Sequence, residues 1–391
     1  MHTTNNFRIT ARQFKITIIF SVIGDTILIL PNIVGGSAKQ DAWISMLIAL
    51  TGGMLAGWLF SSMSGRQPGL SVIGAAKSLA GKWVGGLIGL VHLFFFYLLA
   101  ISLLMEISFF MKTQLMHDTP SEAIVFAFLI VVTAGMRYGV VSFVRMSELL
   151  FPIFIAMFLF LTLCLLPQVD LHHLTPIASN GIGPILKGAY PAFTFGFVET
   201  VGILMLLPYL DGGRKAIMRS IRDGFLIGWI FLFIIVLLCV LVLGPDMMEK
   251  KYFPTFLLAQ RIEIGQFLER VEAVLAFLWI VTVFYKTILY GYSMMRGLAE
   301  ILSLKEERFL AMPLALLLLA GTQINAPSIA GYNEILSYAP NYDVTAYLIF
   351  PSLQYLLLGL PAFKKNRRPG NNSQGSEQEG NNLQKKEKGK T

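Results

Sequence analysis

The 391-residue chain is 55% hydrophobic and only 14% charged, a balance that excludes an ordinary soluble domain and describes an all-α polytopic membrane protein. Its formal charge of +8 does not point to nucleic acid, because the basic residues cluster between apolar runs as cytoplasmic loops do. The two cysteines, Cys164 and Cys239, each lie inside an apolar run with no metal or redox spacing around them.

In chain order, apolar segments of spanning length fall at about 14 to 34, 42 to 63, 84 to 111, 122 to 143, 149 to 167, 185 to 210, 224 to 244, 270 to 295, 309 to 325 and 342 to 363. Ten transmembrane helices are therefore expected, in one domain over residues 1–365, followed by a polar, disordered cytoplasmic tail over 366–391. With both termini cytoplasmic, most of the 31 Lys and Arg residues fall on the inner side. Arg8, Arg12 and Lys15 precede the first run as they would in a signal peptide, but Asp25 in its middle argues for a retained span.

The first segment, ITIIFSVIGDTILILP, carries the chemistry. Asp25 lies about nine residues into it, roughly 14 Å deep at the helical rise, near the centre of the hydrocarbon layer. A carboxylate there is costly unless it is paired or faces a polar cavity, so it marks a functional site. Gly24 before it and Thr26 after it suit a helix that breaks at mid-membrane, which is tolerated only beside a cavity.

Between the second and third segments, GRQPGLSVIGAAKSLAGKW is too polar to cross and is expected to lie along the inner interface. Glu106, near the outer end of the third segment, and Glu148, at the inner start of the fifth, are read as interfacial. His172 and His173 are adjacent, point apart, and read as a solvated loop. FLLAQRIEI, between segments seven and eight, is expected to form an outer amphipathic helix.

The sixth segment answers the first. AYPAFTFGFVETVGILMLLP holds Gly196 and then Glu199-Thr200, as the first holds Gly24 and then Asp25-Thr26, and proline closes both at Pro31 and Pro208. Interrupted segments at matching places in two halves point to a transporter-type site, here in a five-plus-five inverted repeat with halves at about 12–167 and 185–363. In the eighth segment Lys286 lies too far from the interface to snorkel and calls for a carboxylate, with Asp25 and Glu199 available. Thr287, Tyr290 and the Phe96-Tyr97 pair would add hydroxyls and an aromatic wall. No catalytic signature is present, so neither catalytic residues nor a cofactor or metal is expected.

Taken together, the ten segments, HDTP before the fourth, RMSELLFP at the fifth, the interrupted sixth and FYKTILYGY in the eighth resemble the B subunits of bacterial spore germinant receptors, over about residues 8–363. That family belongs to the amino acid, polyamine and organocation transporter superfamily. The resemblance implies a LeuT-like inverted-repeat fold and a sensor in the spore inner membrane. The sensor would bind a small germinant, often an amino acid, and act with an A subunit and a lipoprotein C subunit. Carried onto this chain, the ligand site comprises Gly24, Asp25, Thr26, Tyr97, Gly196, Phe197, Val198, Glu199, Thr287 and Tyr290. Lys286 would replace the sodium ion of sodium-coupled relatives. A secondary transporter with the same site, or a pore component, is the competing reading, and a sugar or neutral germinant stays open.

Overall fold

The computed structural model describes residues 8–66, 69–262, 270–325 and 329–359, and these are helical apart from connecting loops and one parallel bridge between Ile9 and Leu210. The tail over 366–391 lies outside the described residues. Eight helical runs among them are long and apolar enough to cross a membrane, from Thr26–Gly65 through Arg308–Asn325. The helices in chain order are α1 (Ala11–Ile23), α2 (Thr26–Ala38), α3 (Ala42–Arg66), α4 (Val72–Phe110), α5 (Ser121–Tyr138), α6 (Val140–Leu165) and α7 (Ile182–Phe197). They continue as α8 (Arg214–Leu238), the short α9 (Pro245–Lys250) and α10 (Pro254–Gln260), then α11 (Glu272–Leu302), α12 (Ala311–Asn325), α13 (Ile329–Asp343) and α14 (Phe350–Gly359).

Two of the expected segments are irregular. The first is split into α1 and α2 at Gly24 and Asp25, each piece only 13 residues long. The tenth, expected from 342, is reached by a helix that starts earlier: α13 (Ile329–Asp343) lies mostly in the stretch read as a connection and passes through a π-helical stretch, Val344–Ile349, into α14. Helix α1 starts on a capping box: Thr10 Oγ1 accepts from the Gln13 amide while the Gln13 side chain accepts from the Thr10 amide.

The polar stretch before the third span folds as the first turns of α4 and bends at Gly81, whose φ of 78° breaks the helix. The two arms of that elbow touch: a Cβ at Gly85 would come 2.5 Å from Lys77 Cα, so only glycine fits. The short arm docks on the end of α11. Ser71 Oγ donates to Glu300 Oε2, and Lys77 Nζ reaches the Glu300 and Ile301 carbonyls that the helix end leaves free.

The core is the bundle around α1, α2, α7 and α11. Helix α11 packs along α4, α5 and α6, while α1 lies against α8 and α2 against α7. Pro31 within α2 cannot donate to the Ile27 carbonyl, and Thr255 Oγ1 from α10 donates there instead at 2.8 Å. The short helix α10 thus covers the proline kink from one end; of the outer helix expected at FLLAQRIEI, residues 263–264 lie outside the described residues.

Candidate functional site

Helix α1 ends where Gly24 takes φ 30° and ψ −126°, a conformation that an L side chain rarely adopts. A Cβ there would also sit 2.5 Å from Lys286 Cδ, so the absent side chain leaves the channel through which the lysine stem passes. The break exposes two carbonyls, and α11 supplies a donor to each. Thr282 Oγ1 donates to Gly24 O at 2.7 Å, and Trp279 Nε1 donates to Asp25 O at 3.3 Å. The irregular backbone at membrane depth is therefore satisfied by protein rather than left to water or an ion.

The sixth span changes pitch without unwinding. Helix α7 passes at Phe197 into an eight-residue 3₁₀ helix, Val198–Met205, with Glu199 in its first turn. Runs of that length are uncommon and tend to mark hinges or strain. Tyr290 of α11 inserts its hydroxyl into this ladder, donating to Glu199 O and accepting from Gly202 N at 3.4 Å. Gly202 gives the tyrosine ring its room, since a Cβ would lie 3.1 Å from Tyr290 Cε1. Thr26 Oγ1 donates across to Phe195 O at 3.3 Å and ties the two irregular segments together.

Lys286 occupies the junction. Fully buried, it bonds Asp25 Oδ1 at 2.5 Å and also Glu199 Oε2, so one ammonium bridges the first and sixth spans. Such a triad holds its geometry because each charge is desolvated and only its partners compensate it.

Beside the triad lies a cavity of about 330 Å³, whose described walls come from α4, α7, α12, α13 and the π stretch. Asp25 reaches it from the break and Glu199 from the 3₁₀ stretch, Ser102 and Met105 from α4, Tyr332, Tyr342 and Asp343 from α13, and Tyr347 from the π stretch. Asp343 is 4% exposed, neighbours Glu199, and has no hydrogen-bond partner for Oδ2. It was not legible as a site residue because it stands at the very edge of its apolar run. The available signal was local: Pro340 three residues earlier and tyrosines at 342 and 347 around a lone acid.

The structure brings Gly24, Asp25, Thr26, Glu199, Lys286 and Tyr290 together, with Val198 buried next to Glu199. It directs others elsewhere. Tyr97 turns outward, donates to Leu317 O at 3.3 Å and packs over Gly321 of α12; its neighbour Phe96 is the one that faces Tyr290. Thr287 spends its hydroxyl on the Val283 carbonyl of its own helix. Gly196 faces Leu232 of α8, and Phe197 stacks near Phe225 and over Gly53. Phe195, two residues earlier, lines the cavity instead.

Glu106 corrects the interfacial reading. The helix runs on past it to Phe110 and then into a π turn, which carries the acid below the surface to 1% exposure, with neither carboxylate oxygen partnered. Glu148 lies in the third turn of α6 rather than at a helix start, half-buried, and pairs with Gln13 and Arg12. Among the described residues no His, Cys, Asp and Glu group has the arrangement to hold a metal.

A sequence profile described as "Spore germination protein" matches residues 8–328. The chain belongs to the spore germination protein family. Among its relatives is spore germination protein KB of Bacillus subtilis (strain 168), 28% identical over 369 residues that cover 92% of this chain and 96% of that protein. Spore germination protein YndE of the same organism is 25% identical and is covered to 97% of its length. Spore germination protein A2, also of Bacillus subtilis, is 25% identical over 295 residues, 73% of this chain and 79% of that protein. This spore germination protein is thus a homologue of B-subunit-type germinant receptor proteins, as its motifs suggested.

In fold it is similar to Mhp1, a nucleobase-cation-symport-1 family transporter solved in a closed conformation with bromovinylhydantoin bound. The TM-score is 0.62 at 14% identity, covering 91% of this chain and 80% of that one. The match assigns a LeuT-like transporter fold to the spore germination protein. The broken α1–α2 pair and the pitch change after α7 are the irregular elements that such a fold keeps at its centre.

Proposed function

We propose that this chain is the ligand-binding B subunit of a spore germinant receptor. It receives a small nutrient, of the amino acid class, in the cavity beside the Asp25–Lys286–Glu199 triad, and it signals with A and C partner subunits from the spore inner membrane. The observation that carries this reading is the cavity itself: about 330 Å³, opening onto both irregular spans, with buried acids at its floor. Ligand pockets of this size with a few convergent polar groups are the usual form of a small-molecule site.

We read the helices as ten spans in a five-plus-five inverted repeat, with α1–α2 as the first, α7 and its 3₁₀ continuation as the sixth, and α13–α14 as the tenth. Both termini then lie on the cytoplasmic side, where the basic loops gather. Lys286 stands where a coupling cation would otherwise neutralise Asp25 and Glu199. Ligand binding therefore shifts the relation of the two halves without an ion to release.

The transporter-like fold favours one other reading, a secondary transporter of amino acids or related small molecules. Labelled amino acids offered to proteoliposomes that contain this chain alone separate the two. Saturable binding without accumulation is expected of a sensor, whereas concentrative uptake would assign transport.

A further inference from the structure

We infer that the cavity takes the ammonium group of a small organic amine on Asp343, and that no subsite for a ligand carboxylate accompanies it. This rests on the reading above that the cavity binds a small nutrient, and it narrows the class of that nutrient from amino acid to amine.

The charge balance of the chamber carries the inference. Asp25, Glu199 and Asp343 line the cavity, a fourth buried acid, Glu106, stands near enough to feel them, and Lys286 is the one buried lysine among the described residues. Lys286 is already shared between Asp25 and Glu199, and Asp343 meets the Glu199 side chain in a hydrogen bond, which leaves Asp343 Oδ2 as its unpartnered oxygen. Its Oδ2 has no donor although Asp343 is all but inaccessible and lines the cavity. An ammonium entering the cavity can donate to that free oxygen.

The surroundings select the form of that donor. Tyr332, Tyr342 and Tyr347 line the same cavity, and aromatic faces attract an organic cation. The Tyr342 hydroxyl is buried and also lacks a partner, which gives the ammonium a second oxygen to bond. No Lys or Arg is among the described residues lining the cavity, so a ligand carboxylate would meet acids, tyrosine and serine hydroxyls and the Asn325 amide but no cationic side chain. A zwitterion would bring its own negative charge into a chamber that already has an excess. A cation removes the excess.

The test compares probes of one carbon body on the purified full chain by thermal unfolding: isoamylamine, leucine and 4-methylpentanoate, then phenethylamine, phenylalanine and 3-phenylpropionate. The amine of each set is expected to raise the melting temperature at a concentration roughly tenfold or more below its amino acid, in line with a charge-assisted hydrogen bond gained without an opposing repulsion. The acid of each set is expected to leave it unchanged. Asp343→Asn keeps the shape of the side chain and removes its charge, and it should abolish the amine's shift. An undiminished amine shift in Asp343→Asn, as a permanently protonated Asp343 would give, overturns the assignment. So does an acid that stabilises the wild-type chain as well as its amine, a comparison that needs no variant to fold. Glucose separates this failure from that of the underlying reading: stabilisation by glucose with none by amines leaves a ligand site without an ammonium subsite. If no probe of either kind shifts the transition, both readings fall.

Discussion

Lys286 is the side chain on which the two irregular spans depend. Removing it leaves Asp25 and Glu199 facing each other without a cation, and loss of one member of a buried ion pair costs about 3–5 kcal/mol. Lys286→Ala is expected to lower the folded yield and the melting temperature in detergent accordingly. The triple exchange Asp25→Asn, Glu199→Gln and Lys286→Met, which leaves no charge to compensate, should recover most of that loss. If the triple variant is no more stable than Lys286→Ala, the charges are not what the lysine is there to balance. Gly24→Ala presents a separate case. It combines positive φ with a contact on the lysine stem, and should destabilise more than an ordinary glycine-to-alanine exchange in a loop.

At this scale the sequence was informative where a charge interrupted a long apolar run. Asp25, Glu199 and Lys286 stand out because the bilayer penalises them and nothing nearby explains them. Asp343 and Glu106 are equally buried but lie near the ends of their runs, where an acid is ordinary. Tyr97 and Thr287 were legible as residue types and not as directions, since neighbouring helical positions differ by about 100° and one step decides which wall a side chain joins.

Among the elements, α11 completes the broken first span. Its Thr282 and Trp279 donate to the carbonyls of Gly24 and Asp25 at the break, and its Lys286 supplies the positive charge. Ligand binding is accordingly expected to be the same in sodium and in choline chloride at equal ionic strength. An affinity that climbs steeply with sodium would show that the break retains an ion site. Thr282→Val removes one of those donors, leaves Gly24 O unpaired, and should cost about 1–3 kcal/mol by the usual penalty for an orphaned buried group.

Helix positions were largely readable from hydropathy, and the gaps have physical causes. The elbow at Gly81 merges an amphipathic arm with a span, because a single glycine at φ 78° bends the chain without interrupting the residue pattern on either side. The pitch change after α7 falls beside the glycine that suggested a break. Tyr290, far along the chain, holds the 3₁₀ ladder, so the geometry is a tertiary effect that a local reading cannot supply.

For the whole molecule, a transporter-like fold and a receptor's task are compatible because both begin with a ligand bound between two halves. What distinguishes them is whether the halves then rock to the other side. The ligand adds to folded-state stability in proportion to its saturation, by about 2.7 kcal/mol at a hundred times its Kd.

The most direct measurement is thermal unfolding of the purified chain against a panel of amino acids, amines and sugars, run in parallel on wild type and on Ser102→Trp, which fills the cavity from α4 and leaves the three triad residues in place in the sequence. The account predicts that a compound which raises the wild-type transition by several degrees leaves Ser102→Trp where it was. A folded Ser102→Trp that responds to that compound as wild type does would place the ligand elsewhere and contradict it.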